Sequence, residues 1–136
     1  MEASIMTRQA VVTTKAPAAI GPYSQAIFTD SLVFCSGQLG LDAVTGQMAT
    51  GGAAAEADAA LANLAAVLTA AGSSMDRVLK TTVFLTDLKD FQSMNEVYTR
   101  HFASPCPARS TIQVAALPRG AKVEIEATAL RGECHS

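Results

Sequence analysis

The sequence contains no tryptophan, and aromatic residues make up only 5% of it. A platform for stacking nucleic-acid bases needs several aromatic faces, so that function finds little support. Positive charge is not in excess either: ten Lys and Arg against twelve Asp and Glu leave a net charge of −2. A nucleic-acid binder needs a basic footprint to neutralise phosphates. Histidine is scarce, and neither His101 nor His135 has metal-ligand spacing with a cysteine. Cys35, Cys106 and Cys134 are odd in number and lack CxxC spacing. That pattern fits free thiols in a reducing compartment, with the cytoplasm as the expected location and an organelle left open. MEASIMTRQAVV has no basic region followed by an apolar core, so no secretory signal is expected. The most apolar window, residues 53–72, carries Glu56, Asp58 and Asn63, too polar a set for a membrane span. Gly51-Gly52 precedes a helix without a phosphate-loop pattern. No metal, nucleotide or flavin signature is present, and no cofactor is expected.

What is present fits one globular domain. The chain has 136 residues, 49% of them apolar and 16% charged. That length buries about two-thirds of the unfolded surface, enough for a core without staples. RQAVVTT at 8–14 is a short β-prone run, ended by Pro17 and the extended loop Ile20 to Ser24. Ala26–Thr29 and Leu32–Ser36 flank Asp30-Ser31 as a tight hairpin. Residues 53–71 repeat Ala57, Leu61, Leu64, Leu68 and Ala71 at spacings of three and four, a helix stopped by Gly72. Val78–Thr86 is the strongest strand pattern. A second helix is expected over about 90–102, with Phe91, Met94, Tyr98 and Phe102 on one stripe and Asp87 or Asp90 as its cap. Two alternating runs close the chain, Thr111–Val114 and Lys122–Ala129. The order β-β-β-α-β-α-β-β predicts an α+β domain with some parallel pairing and both helices on one sheet face. Val123, Ile125, Ala127 and Ala129 then share the covered side. Lys122, Glu124, Glu126 and Thr128 lie on a semi-polar side that faces water or another subunit. Residues 1–7 and 131–136 are expected to be loose ends.

The sharpest chemical feature is Arg109, set behind Pro105 and Pro107. Guanidinium is a planar fork that fits a carboxylate bidentately. If the last two runs pair through their short connection, Arg109 and a carboxylate of the final strand come together as a clamp beside a base. On pattern alone Arg109 also reads as an ordinary surface arginine. Glu124 and Glu126 read equally as solvent-facing strand residues, since alternation explains both. Tyr23 on its Gly-Pro loop can cover a ligand or pack on the surface. Ser36 can bind a polar ligand or make a local turn bond, and Asn95 can be a solvated helix residue.

Several separated motifs carry more information than any one of these residues. IGPYSQA at 20–26, SGQLG at 36–40, NLAAVLTAAG at 63–72, KTTVFLTDLKDFQSMNEVY at 80–98, PARS at 107–110 and VEIEA at 123–127 occur in one order. In these the sequence resembles the RidA/YjgF family, the reactive-intermediate deaminases, over nearly its whole length. The resemblance implies a chorismate-mutase-like fold, with a mixed six-stranded sheet and two helices on one face. It implies a homotrimer whose sheets form a central barrel, with sites in the clefts between subunits. It also implies hydrolysis of 2-imino acids and their enamine tautomers, such as 2-aminoacrylate and 2-aminocrotonate, to 2-keto acids and ammonia. That chemistry protects pyridoxal-phosphate enzymes and uses no metal or organic cofactor. By similarity Arg109 clamps the substrate carboxylate, and Glu124 positions or activates water. Tyr23, Ser36, Asn95 and Thr111 line the pocket, with Tyr23 expected from the neighbouring chain, and Glu126 falls to a structural role. Thr111 stands where many bacterial members have cysteine, which argues against thiol chemistry there. The alternatives are a non-catalytic trimeric metabolite binder or holdase, and an endoribonuclease, against which the charge and aromatic content weigh.

Overall fold

The computed structural model describes residues 7–132. Its core is a six-stranded sheet in the order β1-β2-β3-β6-β4-β5. The strands are β1 (Gln9–Val11), β2 (Ala26–Phe28), β3 (Leu32–Gln38), β4 (Val78–Leu85), β5 (Ala108–Gln113) and β6 (Val123–Leu130). The helices are α1 (Gly52–Ala70) and α2 (Phe91–Tyr98). All neighbours are antiparallel except β4 and β5, which run parallel around α2. The expected α+β class, mixed sheet and parallel crossover are therefore present.

Local chemistry sets the element ends. β1 is shorter than the 8–14 run because Gln25 captures the chain beyond it. The Gln25 Oε1 accepts from the Thr13 N–H at 2.8 Å, and its Nε2 donates to the Thr13 and Pro17 carbonyls. The α1 helix stops where Gly72 turns left-handed at φ 82 and the Ser73 N–H reaches back to Leu68 O, a bond that closes a helix C-terminus. The α2 helix ends four residues before the expected limit of 102. Arg100 and His101 donate to carbonyls three residues back, so the chain tightens and leaves the α-helical path. Phe102 keeps its place on the core by stacking on Tyr98 at 4.6 Å. Of the two candidate caps, Asp87 accepts from the Lys89 N–H at 2.9 Å, and Asp90 makes no cap bond.

Both helices cover one face of the sheet. Leu61, Leu64, Val67, Leu68, Met94, Val123 and Ile125 are fully or almost fully buried between the layers. The α1 helix is long and apolar enough to cross a membrane by length and composition. In this fold its apolar stripe packs on the sheet, and Glu56 and Asn63 are buried within the same layer. The Glu56 Oε1 accepts from the Lys122 N–H at 2.7 Å. Gly40 lies so close to α1 that a Cβ there would stand 2.6 Å from Glu56 O.

The opposite face carries no helix. Along β6, Val123, Ile125, Ala127 and Ala129 point into the core, while Glu124, Glu126 and Thr128 point away, as alternation requires. Phe34, Ile112 and Leu130 share that second face and are exposed. Of the expected loose ends, Thr7, Arg131 and Gly132 are described, and Arg131 is tied down. Its Nε donates to Ala71 O at 2.8 Å, and its guanidinium lies over the Phe28 ring. Residues 1–6 and 133–136, with Cys134 and His135, lie outside the described residues.

Candidate functional site

Arg109 and Glu124 do not meet within the chain. The strands β5 and β6 are not paired, because β4 runs between them. This corrects the expectation of a clamp formed by one strand pair. Arg109 is in register with Thr81, and Thr81 with Ala127, three residues along β6 from Glu124. Two strand spacings of about 4.8 Å and three residues of about 3.3 Å put the two Cα atoms roughly 14 Å apart. Their side chains also leave opposite faces. Thr81 and Ala127 are buried on the helix side, which assigns Arg109 to that side, whereas Glu124 lies on the bare side.

The Arg109 half is built on α2. Its guanidinium carbon lies 4.7 Å from the Tyr98 ring centroid and 5.5 Å from that of Phe91, within the range of a cation–π contact. The Tyr98 hydroxyl is fixed in turn by Thr81 Oγ1 at 2.7 Å. Burial raises the Tyr98 phenol above its ordinary range, against the opposing effects of the Thr81 bond and the Arg109 charge. The ring therefore stays neutral beneath the cation. Asn95 occupies the α2 stripe between Phe91 and Tyr98, and Thr111 lies two residues beyond Arg109 on the same face of β5. Asn95 Oδ1 and Thr111 Oγ1 are buried with no protein hydrogen-bond partner. Orphaned buried polar atoms are uncommon and call for a partner beyond the chain's own groups, such as water or a ligand.

The Glu124 half opens on a cavity of about 280 Å³, whose walls include Ile20, Tyr23, Gly37, Leu41, Arg119 and Glu124. Tyr23 thus shares a cavity with Glu124 of its own chain, where the resemblance implied a neighbour's tyrosine. Its hydroxyl accepts from the Ile20 N–H at 3.3 Å. Ser36 is not in the wall. It donates through Oγ to Ser24 O at 2.6 Å and holds the Tyr23 loop in place. Glu124 lies directly on the backbone of Gly37, where a Cβ would stand 2.5 Å from its carboxylate oxygen. Burial holds the Glu124 carboxyl above its ordinary range, and the charge of Glu126 adds to the shift.

Sequence reasoning missed the supporting residues. Gln25 and Asn63 are buried amides that staple the loops around the cavity. Asn63 Nδ2 donates to Leu39 O and Leu41 O at 3.1 and 2.9 Å. Tyr98 and Phe91 read as core positions, although they also carry Arg109. Their only sequence signal is that a polar residue, Asn95, interrupts the apolar stripe. No group of three or more potential metal ligands occurs among the described residues.

The fold and the two half-sites define a small α+β domain with an arginine fork on one face and a half-buried carboxylate on the other. The family model described as Endoribonuclease L-PSP matches residues 13–131. The chain belongs to that family, the RidA/YjgF family. It is 53% identical over 129 residues to a mouse protein named 2-iminobutanoate/2-iminopropanoate deaminase, covering 95% of this chain and 96% of the mouse protein. The crystal structure of RidA from an Antarctic Psychrobacter superposes with a TM-score of 0.87 at 46% identity, covering 90% of this chain and 98% of that one. E. coli TdcF, solved with bound serine, gives 0.86 at 42% identity, covering 91% and 99%.

The Gly37 contact generates a prediction. Replacing Gly37 by Ala displaces the Glu124 carboxylate toward water, so its titration, followed by carbon NMR, moves down toward the ordinary range. An unchanged titration would show that the close approach does not set the burial of Glu124.

Proposed function

We propose that the protein hydrolyses 2-imino acids, and the enamines that tautomerise to them, to 2-keto acids and ammonia. The observation that carries this reading is the pair of complementary half-sites. An anion-binding fork with unpaired polar neighbours lies on one face, and a carboxylate kept above its ordinary range lines a cavity on the other. The name of the mouse relative supports the same chemistry, and the serine bound to TdcF supports an amino-acid-sized ligand.

A single chain cannot apply both halves to one small molecule, since about 14 Å and a sheet separate them. The reading therefore includes a site shared between copies of the chain, and the family resemblance implies that the assembly is a homotrimer, in which the Arg109 face of one subunit closes on the Glu124 cavity of the next. The bare sheet face, with Phe34, Ile112 and Leu130 exposed, supplies apolar surface for such an assembly.

In the closed cleft Arg109 takes the substrate carboxylate through two parallel hydrogen bonds and fixes the planar imine carbon. Asn95 and Thr111 offer their free oxygens beside it. Glu124 accepts a proton from water as the oxygen adds to the imine carbon, giving a carbinolamine. Glu124 returns that proton to the nitrogen, which makes it an ammonium leaving group. As the C–N bond breaks, Glu124 takes the hydroxyl proton so that the C=O forms, then passes it to the departing ammonia, and the keto acid and ammonium leave. Each cycle consumes one water and leaves Glu124 ionised. Because such imines also hydrolyse slowly in water, modest acceleration is sufficient.

Two measurements test this. A dehydratase that generates 2-aminoacrylate or 2-aminocrotonate in situ, coupled to keto-acid detection, gives the rate. Arg109→Ala lowers kcat/KM by about 10²-fold, the cost of removing one partner of a desolvated charge pair. Wild-type activity in an Arg109→Ala trimer would exclude the clamp. The pH profile supplies the second test. Water activation needs ionised Glu124, so activity falls as pH falls through its raised pKa, above the ordinary carboxylate range. Removing the neighbouring charge with Glu126→Gln shifts that acid limb to lower pH, and an unmoved limb would mean that another group sets it.

A further inference from the structure

The cavity that holds Glu124 contains a cation with no assigned role. Arg119 lies on its wall together with Tyr23 and Glu124. Its backbone is left-handed at φ 62, the one non-glycine residue among those described with positive φ. That conformation is uncommon for a side chain of this size, so the surrounding structure must hold it there. The hold is visible: Arg119 reaches across to the loop after β3 and donates from Nη2 to Gly46 O at 2.9 Å. This one bond leaves most of the guanidinium donors free. Among the described residues Arg119 makes no salt bridge with a carboxylate, unlike His101, which pairs with Asp58. Arg119 is exposed, so its free donors, tethered at the rim of a cavity whose remaining wall includes Ile20, Leu39, Leu41 and Pro118, are open to an anionic group at the far end of a short carbon chain.

We infer that Arg119 is a specificity residue that receives the side-chain carboxylate of a dicarboxylic 2-imino acid. This rests on the deaminase reading, in which Arg109 of the adjoining subunit holds the α-carboxylate. The substrate class extends from small neutral imines to those derived from acidic amino acids. The apolar wall contacts the intervening methylenes, and Arg119 meets the terminal charge. The structure also gives Arg119 a second duty, as a strap between the loops at residues 42–46 and 118–120. A strap would affect every substrate alike, whereas a charge partner affects the acidic ones selectively.

The test uses the ratio of kcat/KM for 2-iminoglutarate over 2-iminopropanoate, both generated in situ by amino-acid oxidation, in wild type, Arg119→Lys and Arg119→Gln. Arg119→Gln lowers the ratio about fivefold, the upper range for one partly exposed charge pair, and Arg119→Lys restores most of it. Equal loss with both substrates, or an unchanged ratio, would overturn the inference and leave the deaminase reading standing. Calorimetric binding of 2-oxoglutarate and 2-oxobutanoate to the same proteins needs no turnover. If wild type hydrolyses neither imine, the deaminase reading fails, and the binding data decide the subsite alone. Selective weakening of 2-oxoglutarate in Arg119→Gln supports it, and equal weakening or none overturns it.

Discussion

The last strand pairs with β3 on one edge and β4 on the other, and this double pairing sets where chemistry can occur. It drives β6 through the middle of the sheet, so its alternate residues divide between a sealed core and a bare face. Val123, Ile125, Ala127 and Ala129 anchor it to α1 and the core, and Glu124 is consequently fixed on the other side. The same insertion pushes β5 to the sheet edge, where Arg109 turns toward α2. The two groups best suited to handling a small carboxylate are thereby separated by the fold that builds them. The proposed cleft between copies of the chain would resolve that separation and give the bare face a use.

Each half is held in place by the residues packed around it. Arg109 rests on Tyr98, Tyr98 is tied to Thr81, and Thr81 lies in the sheet core. Glu124 rests on Gly37, and the loops on either side are fixed by Gln25 and Asn63. Buried amides that satisfy free loop carbonyls cost little and give a loop one conformation. The result is a preorganised carboxylate whose burial shifts its titration in the direction that water activation at moderate pH requires.

Much of the fold was legible in the sequence. The helical stripe through Leu61, Leu64 and Leu68, the Gly72 stop and the alternation of Val123 to Ala129 each follow from local periodicity. So does the bare second face, since two helices cannot cover both sides. The strand order was not legible, because pairing partners are decided by packing across the whole chain. Reading β5 and β6 as neighbours therefore placed Arg109 beside Glu124. The end of α2 and the loss of residues 12–14 from β1 depend on tertiary bonds, Gln25 to Thr13 above all, that no window of sequence reveals. Of the site, Arg109 stood out as a fork behind two prolines, but it and Glu124 outweighed their ordinary surface readings only through the resemblance to a family. Arg119 did not stand out at all, since its importance lies in a backbone angle and a cavity wall.

The central claim is that Arg109 of one subunit serves Glu124 of another, and subunit mixing tests it directly. Arg109→Ala and Glu124→Gln proteins, each nearly inactive alone, are unfolded together in equal amounts and refolded. If the site is shared, random assortment in a cyclic trimer rebuilds about one quarter of the sites with both groups intact, and imine hydrolysis returns to about that fraction of the wild-type rate. If both groups acted from one chain, no mixed trimer would contain an intact site. Activity that stayed at the level of the single variants, in a preparation shown to contain mixed trimers, would contradict the account.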